Sequence, residues 1–232
     1  MGFDSEKAYG ITGRFGAERG SAGAITDIVF DFCDVLLNWD PRGAFGSAGL
    51  MDDNVWEEFF DRSAEFGFWH YDELLDLGMP KEDVIADYRA HHAGEAGENA
   101  FDVYFLQHAE LAFRGMIPGM DYLLGNLSRN HYRLWGLTNF TTEAVQYALT
   151  QYPAMRLLKD VVVSSEERDH KPDASIYQTA IERFDLDPAS SVFLDDKPWN
   201  VEAAQKLGFH SFVFTDAVSA RSLLAQLGVR VL

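Results

Sequence analysis

The segment ITDIVFDFCDVLL, residues 25–37, decides the fold. Ile28, Val29 and Phe30 make a short run without a polar interruption. A strand covered by helices on both faces reads this way, because neither face meets water. Asp31 ends the run. In open parallel sheets ligands gather beyond the carboxyl ends of the strands, so an acid there is a candidate functional residue. Taken alone it is also an ordinary strand-end turn residue.

Toward the C-terminus the same arrangement recurs after Pro118. Helical spacing covers 120–129, 142–150, 173–184, 198–207 and 217–227. Between these lie apolar strands at 132–139, 161–165, 191–196 and 210–215. The alternation predicts βαβ units, and so an α/β fold with a three-layer, Rossmann-like core on a parallel sheet. One strand ends in Thr138 and Asn139, another in Asp195 and Asp196. These and Asp31 are expected to converge on one crevice. Lys171 precedes Pro172 at a helix start and is placed to reach it.

Residues 38–117 read differently. Helical pieces are expected at 54–60, 71–75, 80–88 and 100–113, the third opening with Pro80 and acids behind it. No strand is expected in this block, which reads as an inserted helical bundle. Residues 1–24 are rich in Gly, Ser, Ala and charge without periodicity, and read as a flexible extension. The expected division is therefore an extension at 1–24, a core at 25–37 and 118–232, and a helical insert at 38–117.

The chain has 232 residues, 47% of them hydrophobic, enough for one large domain or a core with a small insert. Its 37 acids against 19 bases give a net charge of −18, which repels nucleic acid and anionic membranes. The same field opposes a small anionic substrate unless local cations offset it, a first hint of a bound metal. Cys33 is the single cysteine, so no intrachain disulfide forms. With no apolar run long enough for a membrane span or a signal peptide, the reading is cytoplasmic.

Four pieces in order resemble the motifs of the haloacid dehalogenase (HAD) superfamily: DFCDVL at 31–36, LTN at 137–139, HKPDASIY at 170–177 and FLDDKPWNVEAA at 193–204. The resemblance runs from about Asp27 to the C-terminus. It implies a hydrolase in which Asp31 attacks a phosphate monoester and forms an aspartyl-phosphate, splitting one hard displacement into two easier steps. It implies that Thr138 binds a phosphoryl oxygen and that Lys171 neutralises the nucleophile and the developing charge. Asn139, Cys33 and Asp34 would line the substrate site. Mg²⁺ would be held by Asp31, the Cys33 carbonyl, Asp195 and Asp196, since adjacent carboxylates repel unless a cation lies between them. Asn200 would orient that loop. The implied partner is a small phosphorylated metabolite, on a monomer or homodimer.

The first motif departs from the common D-x-D, whose second Asp protonates the leaving oxygen and then activates water. Cys33 stands there, and a thiol of pKa about 8.5 replaces a carboxylic acid poorly. Asp34 could take the role from the next position, the leaving group could need little help, or activity could be lost. A branch of the superfamily that includes bacterial glucose-1-phosphate phosphatases also lacks this Asp. DFCDVLLNWD, residues 31–40, is closest to that branch, which points to a sugar phosphate. The 2-haloacid dehalogenases lack it too, but use no metal and lack the acidic pair of Asp195 and Asp196. Dehalogenation and catalytically weak ligand binding are the alternatives. The insert sits where a C1 cap would, and caps exclude water and choose substrates. Its aromatic stretch at 66–71 is read as packing for the insert's own core, with Trp69, His70 or Tyr71 the candidates to face a ligand instead. Trp39 and Arg42 are read either in the crevice or in linker packing, and His91 and His92 at the surface.

Overall fold

The computed structural model describes residues 24–43, 51–104 and 109–231. Of the expected extension, all but Ala24 lies outside the described residues. The strands are β1 (Asp27–Phe30), β2 (Leu37–Trp39), β3 (Phe113–Met116), β4 (Arg133–Thr138), β5 (Val161–Val163), β6 (Ser191–Asp195) and β7 (His210–Val213). The helices are α1 (Asp53–Phe59), α2 (Phe68–Asp76), α3 (Lys81–His91), α4 (Met120–Arg129), α5 (Thr142–Gln151), α6 (Ser164–Glu167), α7 (Ala174–Phe184), α8 (Pro198–Lys206) and α9 (Ala217–Gln226).

Five strands form one parallel sheet in the order β5-β4-β1-β6-β7. β1 is central, with Asp27 level with Arg133 on one side and Ser191 on the other. The chain builds outward from β1 through β4 to β5, then returns to β1's other side for β6 and β7. That reversal leaves a crevice at the carboxyl end of β1, where Asp31 lies.

Alternation along the strands sorts two cores. Ile28, Phe30 and Leu134 pack with Leu123, Leu127 and Leu224 of α4 and α9 on one face. Val29, Trp135 and Phe193 pack with Tyr177, Phe184 and Ala204 of α7 and α8 on the other. This is the three-layer α/β core expected from the run at 28–30. Gly136 of β4 is needed where it stands: a Cβ there would lie 2.6 Å from Phe32 Cε1 and 2.9 Å from Val161 Cγ1.

A third core lies in the helical block. Trp56, Phe59, Phe60, Phe68, Tyr71 and Tyr88 cluster there, with Phe59 and Phe60 ring centroids 4.8 Å apart. Phe68 and Tyr71 are fully buried in it.

Two expectations for this block are corrected. It carries a strand, β3, which pairs antiparallel with β2. Neither strand shows the period-2 pattern that marks a half-buried strand, and Gly115 within β3 sits at φ 114°. The expected helix at 100–113 is likewise broken, with a 3₁₀ turn at Ala109–Ala112 leading into β3. One core strand is also shorter than expected: β5 stops at Val163, and Ser164 begins α6. There the Ser164 hydroxyl accepts from Phe140 N–H, tying the turn to the end of β4. Among the described residues, no helix is long and apolar enough to cross a membrane.

Candidate active site

Three strand ends and one helix start build the site. Asp31 follows β1, and its N–H donates to the Leu194 carbonyl of β6 at 2.9 Å, which extends the strand pairing to the functional residue. Its Oδ1 accepts from the Phe32 N–H at 2.6 Å. Asp195 ends β6 and is fully buried. Lys171 lies before α7 and is 3% exposed. Its ammonium joins the two acids, with Nζ 2.8 Å from Asp31 Oδ1 and 2.7 Å from Asp195 Oδ2.

A buried ammonium between two buried carboxylates is costly to desolvate and needs further hydrogen bonds to hold it. Burial alone would lower the Lys171 pKa, but the charges of Asp195 and Asp31 outweigh it and hold the ammonium above the usual lysine value. For Asp31 burial dominates and raises the carboxyl, against the pull of Lys171. Lys171 is positioned through its backbone. Its N–H donates to Asn139 Oδ1 at 2.8 Å and its carbonyl accepts from Asn139 Nδ2 at 2.9 Å. Asn139 therefore lines the cavity with both ends of its amide engaged by Lys171.

Asp195 has several partners. Besides Lys171 it accepts from Lys197 N–H at 2.8 Å, and Asn200 Nδ2 lies 3.0 and 3.1 Å from its two oxygens. Asp196 bonds only Lys197 Nζ, through Oδ2, among the described residues. Asp31, Asp195 and Asp196 each offer an oxygen, all within 4.8 Å of one another. A set of hard carboxylate oxygens at that spacing fits a small divalent cation such as Mg²⁺.

Thr138, at the end of β4, is 1% exposed, and its Oγ1 has no hydrogen-bond partner among the described residues. An unpaired buried hydroxyl costs about 1–3 kcal/mol. A ligand oxygen reaching this strand end would remove that cost.

The site opens into a cavity of about 1000 Å³. Asp31, Cys33, Asp34, Lys171 and Asp196 line it from the sheet side. Burial pushes the Cys33 thiol well above its ordinary value, and the charges of Asp31, Asp76, Asp34 and Asp72 add to the rise. Asp34 adopts φ 60° and is raised by burial and by Asp196, with Lys197 opposing.

The opposite wall comes from the 38–117 segment. Trp39 and Arg42 line the cavity, and so does Trp69, whose Nε1 donates to the Phe60 carbonyl while Arg62 stacks 3.8 Å over its ring. His70 is exposed and Tyr71 is in the aromatic core. His92 is partly buried, between Glu95 and the Phe66 carbonyl, and His91 stacks on Phe66. Asp72 and Asp76 of α2 also line the cavity, and sequence reasoning missed both. The signal was present: they are four residues apart, beside the buried stripe of Phe68, Tyr71 and Leu75.

A sequence model of the haloacid dehalogenase-like hydrolases matches residues 63–214. The chain is similar to the sesquiterpene phosphatase astK of Aspergillus oryzae, 23% identical over 204 residues, covering 86% of this chain and 94% of that protein. It is 31% identical over 94 residues to (S)-2-haloacid dehalogenase 4A of Burkholderia cepacia, covering 40% of this chain and 41% of the dehalogenase. The HAD family enzyme bt-2542 of Bacteroides thetaiotaomicron, crystallised with magnesium and inorganic phosphate, shares the fold at TM-score 0.61. It is 20% identical, with 84% of this chain and 96% of that chain covered.

Proposed function

The chain belongs to the haloacid dehalogenase-like hydrolases, and from that premise we propose that it hydrolyses a small phosphate monoester with the help of Mg²⁺. The observation that carries this reading is the carboxylate trio of Asp31, Asp195 and Asp196, with oxygens within 4.8 Å of one another beside Lys171. A metal-independent dehalogenase has no use for that cluster.

Asp31 is the nucleophile in this reading. Lys171 opposes the rise that burial imposes on the Asp31 carboxyl and faces the charge that develops on the phosphoryl group. Thr138 Oγ1, unpaired in its buried position, donates to a phosphoryl oxygen. Asn139 fixes Lys171 and does not itself need to touch the substrate. Asp31, Asp195, Asp196 and the Cys33 carbonyl would hold the ion, and Asp195, through its bonds to Lys171 Nζ and the Lys197 N–H, also positions Lys171 and the loop. When bound, the cation supplies charge neutralisation between phosphate and carboxylates.

The segment 38–117 serves as a cap of the C1 kind over a core of 25–37 and 118–232, its aromatic core holding one wall of the cavity. The Cys33 position aligns the chain with the branch that includes glucose-1-phosphate phosphatases, and a sugar phosphate in a cytoplasmic setting completes the proposal. The relatives named a sesquiterpene phosphatase and a 2-haloacid dehalogenase set the competitors.

Phosphate release from sugar phosphates, prenyl phosphates and p-nitrophenyl phosphate, with Mg²⁺ and with EDTA, tests the reading. Release that requires the metal supports it and ranks the esters. Chloride release from 2-haloacids, unaffected by EDTA and without phosphate release, overturns it.

A further inference from the structure

The position of Cys33 leaves two proton transfers without a carrier. The departing oxygen needs a proton, and the aspartyl-phosphate needs an activated water. A positioned acid/base is typically worth about 10²–10⁴-fold in such steps. A thiol at this position is a weak donor and a poor substitute for a carboxylic acid. Asp34 is exposed, in a left-handed turn at φ 60°, and the charges on its carboxyl are those of Asp196, Lys197 and Asp40.

Across the cavity, α2 presents Asp72 and Asp76 one turn apart, both half-buried. Both line the cavity that Asp31 and Cys33 line, and their charges act on the Cys33 thiol. The charges of Lys171 and Asp31 act on the Asp76 carboxyl as well. Glu73 of the same helix also lines the cavity but is exposed.

We propose that Asp76 is the proton donor and acceptor of this reaction, supplied from the helical block in place of the acid that Cys33 displaces, with Asp72 as its positioning residue. The inference rests on the phosphatase reading. In the first step Asp31 attacks phosphorus, the bond to the leaving oxygen breaks, and that oxygen takes the proton of the Asp76 carboxyl. In the second, the Asp76 carboxylate takes a proton from water as its oxygen attacks phosphorus. The bond from phosphorus to Asp31 breaks, and phosphate departs with Asp31 and Asp76 restored.

The surroundings favour a carboxyl that starts protonated. Burial raises Asp76 well above the usual carboxylate range, and Asp72, Asp31 and Glu73 add to the rise against Lys171. Asp72 is itself raised to about 7 by burial, against the pull of Arg62. Two carboxylates one turn apart in a shielded cavity do not both ionise readily, so one keeps a proton.

The test compares an alkyl phosphate, whose leaving oxygen needs a proton, with p-nitrophenyl phosphate, whose leaving group does not. Asp76→Asn is expected to lower kcat on the alkyl ester at least about 100-fold. With p-nitrophenyl phosphate it should give a burst of nitrophenol with phosphate trapped on the protein. Cys33→Asp added to Asp76→Asn should restore turnover by returning a carboxylate to the opposite wall, and that rescue also shows that the single variant folds. Asp76→Ala carries the same comparison if the amide disturbs α2. Asp72→Asn should move the alkaline limb of the alkyl-ester profile to lower pH, because losing that charge lowers the Asp76 pKa.

Equal slowing of both esters without a trapped phosphoprotein, unchanged turnover, or no rescue by Cys33→Asp would overturn the assignment of Asp76. If the unsubstituted chain releases no phosphate from either ester, the function itself fails and this inference with it.

Discussion

Asn139 holds Lys171 by both ends of its side-chain amide, accepting from the Lys171 N–H at 2.8 Å and donating to its carbonyl at 2.9 Å. That grip sets where the ammonium stands between Asp31 and Asp195. Asn139→Ala keeps every charge in the site but frees the backbone that aims Lys171. Misplacement of a reacting group by about 1 Å can cost 10²-fold. We expect kcat/KM for phosphate esters to fall about 10- to 100-fold with little change in thermal stability. An unchanged kcat/KM would show that the grip does not position the ammonium.

Lys171→Met removes the cation between two buried acids. Turnover should fall about 10²–10³-fold, the usual loss when one charge-stabilising donor is deleted. Asp31 and Asp195 would then face each other without compensation, so Tm should drop in EDTA and recover in part with Mg²⁺. Melting curves with and without the metal check both signs.

Asp27 lies at the opposite end of β1 from Asp31 and is fully buried. It accepts from Arg133 at 2.7 Å and from Trp135 Nε1 at 2.7 Å. Asp27→Ala leaves the buried Trp135 Nε1 without its acceptor, while Arg133, whose side chain is 34% exposed, can turn to water. The cost is that of lost charged hydrogen bonds, about 1–3 kcal/mol. Asp27→Ala should lower stability by that order in denaturant unfolding, while activity per folded molecule stays the same.

The core and the strand-end residues were legible because parallel-sheet chemistry is local. An apolar run ending in a polar residue marks both a buried strand and its functional end, as at Phe30 and Asp31 or Leu194 and Asp195. The roles around Lys171 were less legible. That Asn139 would grip a backbone 32 residues away depends on how two loops meet. The pairing of β2 with β3 was hidden because Leu37–Trp39 and Phe113–Met116 are short, non-alternating segments joined only by the fold. Asp72 and Asp76 carried a visible four-residue spacing, but only the tertiary structure shows that their side of α2 meets the cavity.

Gly136 links packing to the site. A methyl group there would meet Phe32, whose N–H bonds Asp31 Oδ1 at 2.6 Å. Overpacking of this kind costs about 1–3 kcal/mol. Gly136→Ala should therefore lower stability in that range and reduce turnover as well, through the displaced Phe32. A loss of stability with full activity per folded molecule would separate the two.

The most direct measurement is acid-quenched peptide mass mapping during turnover of p-nitrophenyl phosphate with Mg²⁺. The account predicts a phosphoryl group on Asp31, absent in EDTA and absent in Asp31→Asn, which should also be inactive. Steady phosphate release with no phosphate on Asp31, or release that persists in Asp31→Asn, would contradict it.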